Sequence, residues 1–127
     1  KLAIIGGGYI GLELGCVYRK LGSEVTVIEM MDTILPGFDA DAIKAMARKL
    51  KKDKFKVLTA AKASGYQETD NGITIDVEVK GKAQKIEADY LIVSVGRRPN
   101  SKGVGLENAG VKVDDHGFVP IDKQMRT

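Results

Sequence analysis

An α/β fold with a parallel sheet, in which a β-meander replaces one crossover helix, is predicted by three features of this sequence. First, the short apolar run Leu2–Ile5 breaks into glycines and is followed by apolar residues at near-helical spacing. Second, the β-branched run Glu24–Glu29 closes a strand–turn–helix–strand unit within the first 29 residues, the length of one βαβ unit. Third, residues 62–88 lose the helical period and read as three strands separated by turn sequences. A second continuous apolar run, Asp89–Gly96, follows them.

Each element has a local reason. Leu2–Ile5 carries two isoleucines and no polar alternation, as a strand covered on both faces does. Ile10, Leu12, Leu14, Val17, Tyr18 and Leu21 then supply a helical pattern, and Gly22 falls where that helix should stop. Glu24–Glu29 reads as the second strand. Met30–Asp39 is a loop carrying Pro36-Gly37, and Asp39 or Asp41 can cap the next helix by accepting from its free amides. Ile43, Met46, Ala47 and Leu50 form an i, i+3, i+4, i+7 stripe, and Phe55–Thr59 is a third strand. Ala63–Thr69, Gly72–Val79 and Ala83–Ala88 are predicted antiparallel, with turns at Asp70–Gly72 and Lys80–Lys82. Asp89–Gly96 reads as a central parallel strand. The tail is predicted to hold a short strand around Val111–Val113, then a turn at Asp114–Gly117 and the segment Phe118–Ile121, with no internal repeat.

The bulk numbers narrow the function classes. At 127 residues the chain suits one domain with a core, and no apolar stretch approaches the roughly 20 residues of a membrane span. The net charge is +3, and much of the excess lies in Arg48–Lys56, at helical spacing. Its three Phe and four Tyr do not interleave with that run, so a solvated helix face is expected and not a nucleic-acid surface. One cysteine and one histidine exclude a metal cluster and an internal disulfide, which fits a reducing compartment. Cys16 is expected to be a small, buried helix residue, and His116 an exposed turn residue. The chain opens directly on a strand without an initiator methionine, and reads as a piece of a longer chain.

Gly6, Gly8 and Gly11 spell G-x-G-x-x-G between a predicted strand and a predicted helix. Gly6 permits the tight turn, Gly8 lets a pyrophosphate approach the backbone, and Gly11 lets the helix pack close to the strand. The helix N-terminus adds free amides and about half a positive charge. Glu29 ends the second strand, 21 residues after Gly8, near the spacing at which an acid accepts from both hydroxyls of an adenosine ribose. This is a Rossmann-like signature. A 2′-phosphate about 4 Å from that carboxylate would be repelled by about 4 kcal/mol per charge pair at an effective dielectric of about 20. The following Met30, Met31 and Asp32 include no arginine to offset it, so NAD is favoured over NADP. Glu13 is expected in the first turn of the helix. From position alone, it is either an acid favoured by the helix dipole or a residue facing the nicotinamide end of the ligand.

The segments "GGGYIGLELG", "GSEVTVIE" and "VSVGRRPN", in this order and spacing, resemble the NAD-binding domain of the pyridine nucleotide-disulfide oxidoreductases. Within that family the likeness is greatest to the FAD-dependent members that oxidise dihydrolipoamide in 2-oxo-acid dehydrogenase complexes. The resemblance implies a NAD-binding domain over residues 1–120, with 121–127 starting a return to a missing FAD domain. It implies that Gly6, Gly7, Gly8, Ile10 and Gly11 line the pyrophosphate and that Glu29 holds the ribose. Glu13 would approach the nicotinamide and pair with a lysine of the FAD domain. Tyr9 would cover the nicotinamide pocket when NAD is absent, Ala61 or a neighbour just after the third strand would line the adenine pocket, and Gly96 would pass its backbone near the nicotinamide ribose. Arg97 and Arg98 would lie on the surface.

The family's Cys-x-x-x-x-Cys disulfide, its FAD pyrophosphate motifs and its His-x-x-x-x-Glu are absent; five residues after His116 stands Ile121. No catalytic residue is therefore assigned, and the chain is expected to bind NAD without completing the reaction. The implied partners are NAD(H), the FAD and dimerisation domains of the parent, and its 2-oxo-acid dehydrogenase complex, in the cytoplasm or the mitochondrial matrix. Other readings stay open: the nucleotide domain of an NADH oxidase, mercuric reductase or CoA-disulfide reductase, or a non-enzymatic NAD-binding module. A glutathione-reductase-like domain and a methyltransferase fit less well. The first would call for arginines after the second strand, and "VGRRPN" argues against the second.

Overall fold

The computed structural model describes residues 1–127 and divides into two compact units, residues 1–95 and 96–127. In the first unit, β1 (Leu2–Ile5), β2 (Val25–Ile28), β3 (Lys56–Leu58) and β7 (Tyr90–Val93) form a parallel sheet in the order β3-β2-β1-β7. The helix α1 (Tyr9–Lys20) connects β1 to β2, and α2 (Ala40–Lys52) connects β2 to β3. A three-stranded antiparallel sheet of β4 (Ala61–Thr69), β5 (Gly72–Val79) and β6 (Lys82–Ala88) fills the connection from β3 to β7. The predicted α/β fold, meander included, is the one observed.

Period-two alternation along the central strands creates two cores. Leu2, Ile4, Val25 and Val27 pack with Leu12, Leu50 and Phe55 on the helix side. Ala3 and Ile28 point the other way, against Ala61, Ile75, Val77 and Ile86 of the meander. Burial on both faces is why the sequence of β1 is apolar without interruption. Asp39 is the residue that caps α2, accepting from the Asp41 amide at 2.9 Å. Cys16 is half-buried and packs against the helix-side core. The Arg48–Lys56 run is largely solvated, with Leu50 and Phe55 turned inward.

One expectation for the sheet is corrected. The strand in Asp89–Gly96 is parallel but not central: β7 pairs only with β1 and ends the sheet. Its apolar run reflects burial of its faces, because Leu91 packs on the meander core and Ile92 on the helix-side core. The apolar stripe of α1 is not its buried face. Ile10, Leu14, Val17, Tyr18 and Leu21 are exposed, and the helix turns Gly11, Leu12 and Gly15 to the sheet. A Cβ on Gly15 would stand 3.0 Å from Ile4 Cδ1 and 3.1 Å from Phe55 Cε1, so small residues, not large ones, set this contact.

In the second unit the predicted strand around Val111–Val113 is absent, and the one regular element is a 3-10 helix at Leu106–Ala109. Hydrogen bonds there are taken by turns instead. Asp114 Oδ1 accepts from the amides of His116 and Phe118, and Asp122 Oδ1 accepts from those of Gln124 and Arg126. The two turns also share backbone bonds, Asp114 to Phe118 and Asp122 to Arg126, and a left-handed fourth residue, Gly117 or Met125. They are a repeated structural unit, eight residues apart, that the sequence hides because the two copies share only the aspartate.

Candidate functional site

The carboxyl ends of β1 and β2 bring the glycine turn and Glu29 together. Gly6 adopts φ +105°, a left-handed conformation, and a Cβ there would meet the Ser94 carbonyl at 2.5 Å. Gly11 is more constrained still. Its Cβ would stand 2.3 Å from the Gly6 carbonyl oxygen and 2.6 Å from Ser94 Oγ, so the helix lies against the strand only because that position is glycine. Gly8 is the N-cap of α1 and differs from both: nothing lies within 4 Å of where its Cβ would be. The open space is on the side of the helix end.

That end is rich in donors. The first intrahelical bond runs from the Leu12 amide to the Gly8 carbonyl at 3.0 Å. The amides of Tyr9, Ile10 and Gly11 precede it and have no helical acceptor, and no side chain caps them. An uncapped N-terminus beside an unfilled glycine is a cradle that suits a phosphate.

Glu29 is the one buried charged residue, 7% exposed. Its Oε2 accepts from the Gly7 amide at 2.6 Å and its Oε1 from the Met31 amide at 2.7 Å. A carboxylate offers about four lone-pair sites, so two acceptor positions remain for a diol. The Leu35 amide donates to the Gly7 carbonyl at 2.9 Å, which ties the β2–α2 loop to the glycine turn.

The other predicted residues are placed as follows. Tyr9 and Ile10 are exposed on the first turn of α1. Glu13 is exposed as well, but it is not in the first turn: α1 begins at Tyr9, so Glu13 is its fifth residue and the first turn holds no acid. A stabilising interaction with the helix dipole, which fades within one turn, therefore contributes little there. Ala61 is 1% exposed among the meander residues, with its amide donating to the Glu29 carbonyl at 2.9 Å. Gly96 begins the second unit with φ +140°, and Arg97, Arg98 and His116 are exposed. Sequence reasoning missed Ser94, whose hydroxyl donates to the carbonyls of Ile5 and Gly6 at 3.2 and 3.3 Å. A polar residue at the carboxyl end of an apolar strand was the available signal. A recess of about 340 Å³ lies at the opposite, N-terminal ends of the strands, lined by Lys1, Glu24, Thr26, Lys56 and Lys85, and includes none of the motif residues.

The family model described as pyridine nucleotide-disulphide oxidoreductase matches residues 1–127. The chain belongs to this family. Among family relatives, it is 46% identical over 127 residues to the dihydrolipoyl dehydrogenase of Staphylococcus aureus, covering all of this chain and 27% of that one. In structure it is similar to LpdA from Mycobacterium tuberculosis, with a TM-score of 0.82 and 27% identity, over 99% of this chain and 27% of the other. It is also similar to the water-forming NADH oxidase from Lactobacillus brevis bound to NADH, with a TM-score of 0.78 and 27% identity, over the same shares of the two chains. The chain thus spans about a quarter of the length of each of these three proteins. No helix is long and apolar enough to cross a membrane.

Proposed function

We propose that this chain is the NAD(H)-binding domain of a flavin-dependent dihydrolipoyl dehydrogenase, and that it places nicotinamide for hydride exchange with the flavin. The observation that carries the reading is the pairing of Glu29 with the glycine turn. A buried carboxylate with free acceptor positions stands beside an uncapped helix N-terminus with an empty glycine. The diphosphate would lie against Gly6, Gly7, Gly8, Ile10 and Gly11, and the adenosine ribose against Glu29. Glu13 and Tyr9, both exposed on α1, would face the nicotinamide end. Ala61 would act at the adenine through its backbone, since its side chain is buried. Gly96 would stand near the nicotinamide ribose.

FAD, when bound, supplies the electron transfer, and residues of a longer parent chain would hold it. The cofactors carry the chemistry, and this domain supplies orientation. The chain alone should not catalyse lipoamide-dependent NAD reduction; turnover by it would contradict this reading. A second reading, the nucleotide domain of an NADH oxidase, is supported by the likeness to the NADH-bound Lactobacillus brevis enzyme. Both readings require the same site.

Calorimetric titration of the chain with NAD, NADH and NADP tests it. NAD and NADH should bind more tightly than NADP, and Glu29→Ala should weaken NAD at least tenfold and narrow its margin over NADP. Equal affinity of the unmutated chain for NAD and NADP would contradict the selectivity argument.

A further inference from the structure

The motif explains Gly6, Gly8 and Gly11 but not the glycine between the first two. Gly7 is not in a left-handed conformation, so backbone freedom does not require it. Space does. A Cβ on Gly7 would lie 3.1 Å from Glu29 Cβ, 3.2 Å from its Cγ and 3.2 Å from Oε2. The Glu29 side chain rests against Gly7, and that residue is held on both sides, through its N–H and through its C=O. Its N–H donates to Glu29 Oε2 at 2.6 Å and its C=O accepts from the Leu35 amide at 2.9 Å. The other Glu29 oxygen holds the Met31 amide at 2.7 Å. One buried carboxylate thereby joins the β1–α1 turn to the start of the β2–α2 loop.

We infer that Glu29 is a positioning residue for the phosphate cradle, in addition to any contact it makes with a ribose. It fixes the Gly7 peptide and so sets the path of the turn that leads into the helix N-terminus. A buried carboxylate needs hydrogen-bond donors in place of water, and the two amides supply them. In return they are held where they stand whether or not a ligand is bound. Glutamine at this position keeps the size but cannot do the same: its NH2 group is a donor and would face one of the two amide donors. The inference rests on the dinucleotide reading only for its ligand measurements.

The decisive probe is a dinucleotide that lacks what Glu29 is expected to grip. NAD and its 2′,3′-dideoxyadenosine analogue are titrated against the 127-residue chain and its Glu29→Gln variant. If Glu29 serves only the ribose, the analogue binds both chains equally, and the inference is overturned. If Glu29 positions the cradle, the analogue binds the variant at least fivefold more weakly. A ligand-free readout stands beside this. In the unmutated chain the Gly7 and Met31 amides should exchange with solvent as slowly as the strand amide of Val27, and Glu29→Gln should speed them at least tenfold while Val27 is unchanged. Fast exchange of Gly7 in the unmutated chain would overturn the inference without any variant. If no dinucleotide binds at all, the functional reading fails, and the amide measurement still decides the positioning role.

Discussion

A single methyl group separates the tasks of two glycines in the turn. On Gly11 it would stand 2.3 Å from a backbone carbonyl oxygen, which cannot move aside as a flexible side chain could. Gly11→Ala should therefore lower the unfolding free energy by about 3 kcal/mol, the upper end of the range for overpacking, as read by urea denaturation. On Gly8 the same methyl would meet nothing within 4 Å. Gly8→Ala should cost about 1 kcal/mol or less, as replacement of an N-cap glycine by alanine does, yet weaken NAD at least tenfold by filling the phosphate approach. Equal stability losses at the two positions would contradict this division. The glycine spacing was legible because backbone geometry is written locally. The reason for Gly7 was not, because it lies in a side chain 22 residues further on.

At the scale of elements, the strand–helix–strand order was readable from period and turn residues, but the orientation of α1 was not. Five large apolar residues at helical spacing stay exposed, and the glycines on the other face take the sheet instead. Only the close approach to Ile4, Phe55 and Ser94 shows why. The paired aspartate turns of the second unit were hidden in the same way, since hydrogen bonding repeats there without the sequence repeating. The turn at Asp122 also carries a pH dependence. Backbone and side-chain donation from Arg126 holds the Asp122 carboxyl below its ordinary value of 3.8. A depressed folded pKa means that the turn's stabilisation is fully present above that value and is lost as pH falls through the lower, folded one. Amide exchange at Gln124 and Arg126 should accordingly accelerate below pH 3.8, once corrected for the intrinsic pH dependence of exchange, and Asp122→Asn should remove this extra acceleration.

For the molecule as a whole, every buried hydrophobic residue lies between Leu2 and Ala88. Both cores therefore belong to the first unit, and the second unit is built from turns and one 3-10 helix. Apolar burial supplies about 25 cal/mol per Å², so the cooperative unfolding energy resides in residues 1–95. A chain ended at Val95 should keep an unfolding free energy, extrapolated from urea, within about 15% of the intact chain's, the uncertainty of such extrapolations. Loss of cooperative unfolding on truncation would show that the second unit is needed for the first to hold. The place of β7 was the one large-scale feature misread, because an apolar run reports covered faces and says nothing of neighbours in the plane of the sheet. Its unshared side leaves a row of main-chain donors and acceptors without a strand partner, beside Tyr90 and Val93, 74% and 62% exposed. In a concentrated stock of this polypeptide, that row is a template on which fibrils can start while the molecules are still folded, and a lysine in place of Val93 is the natural way to blunt it.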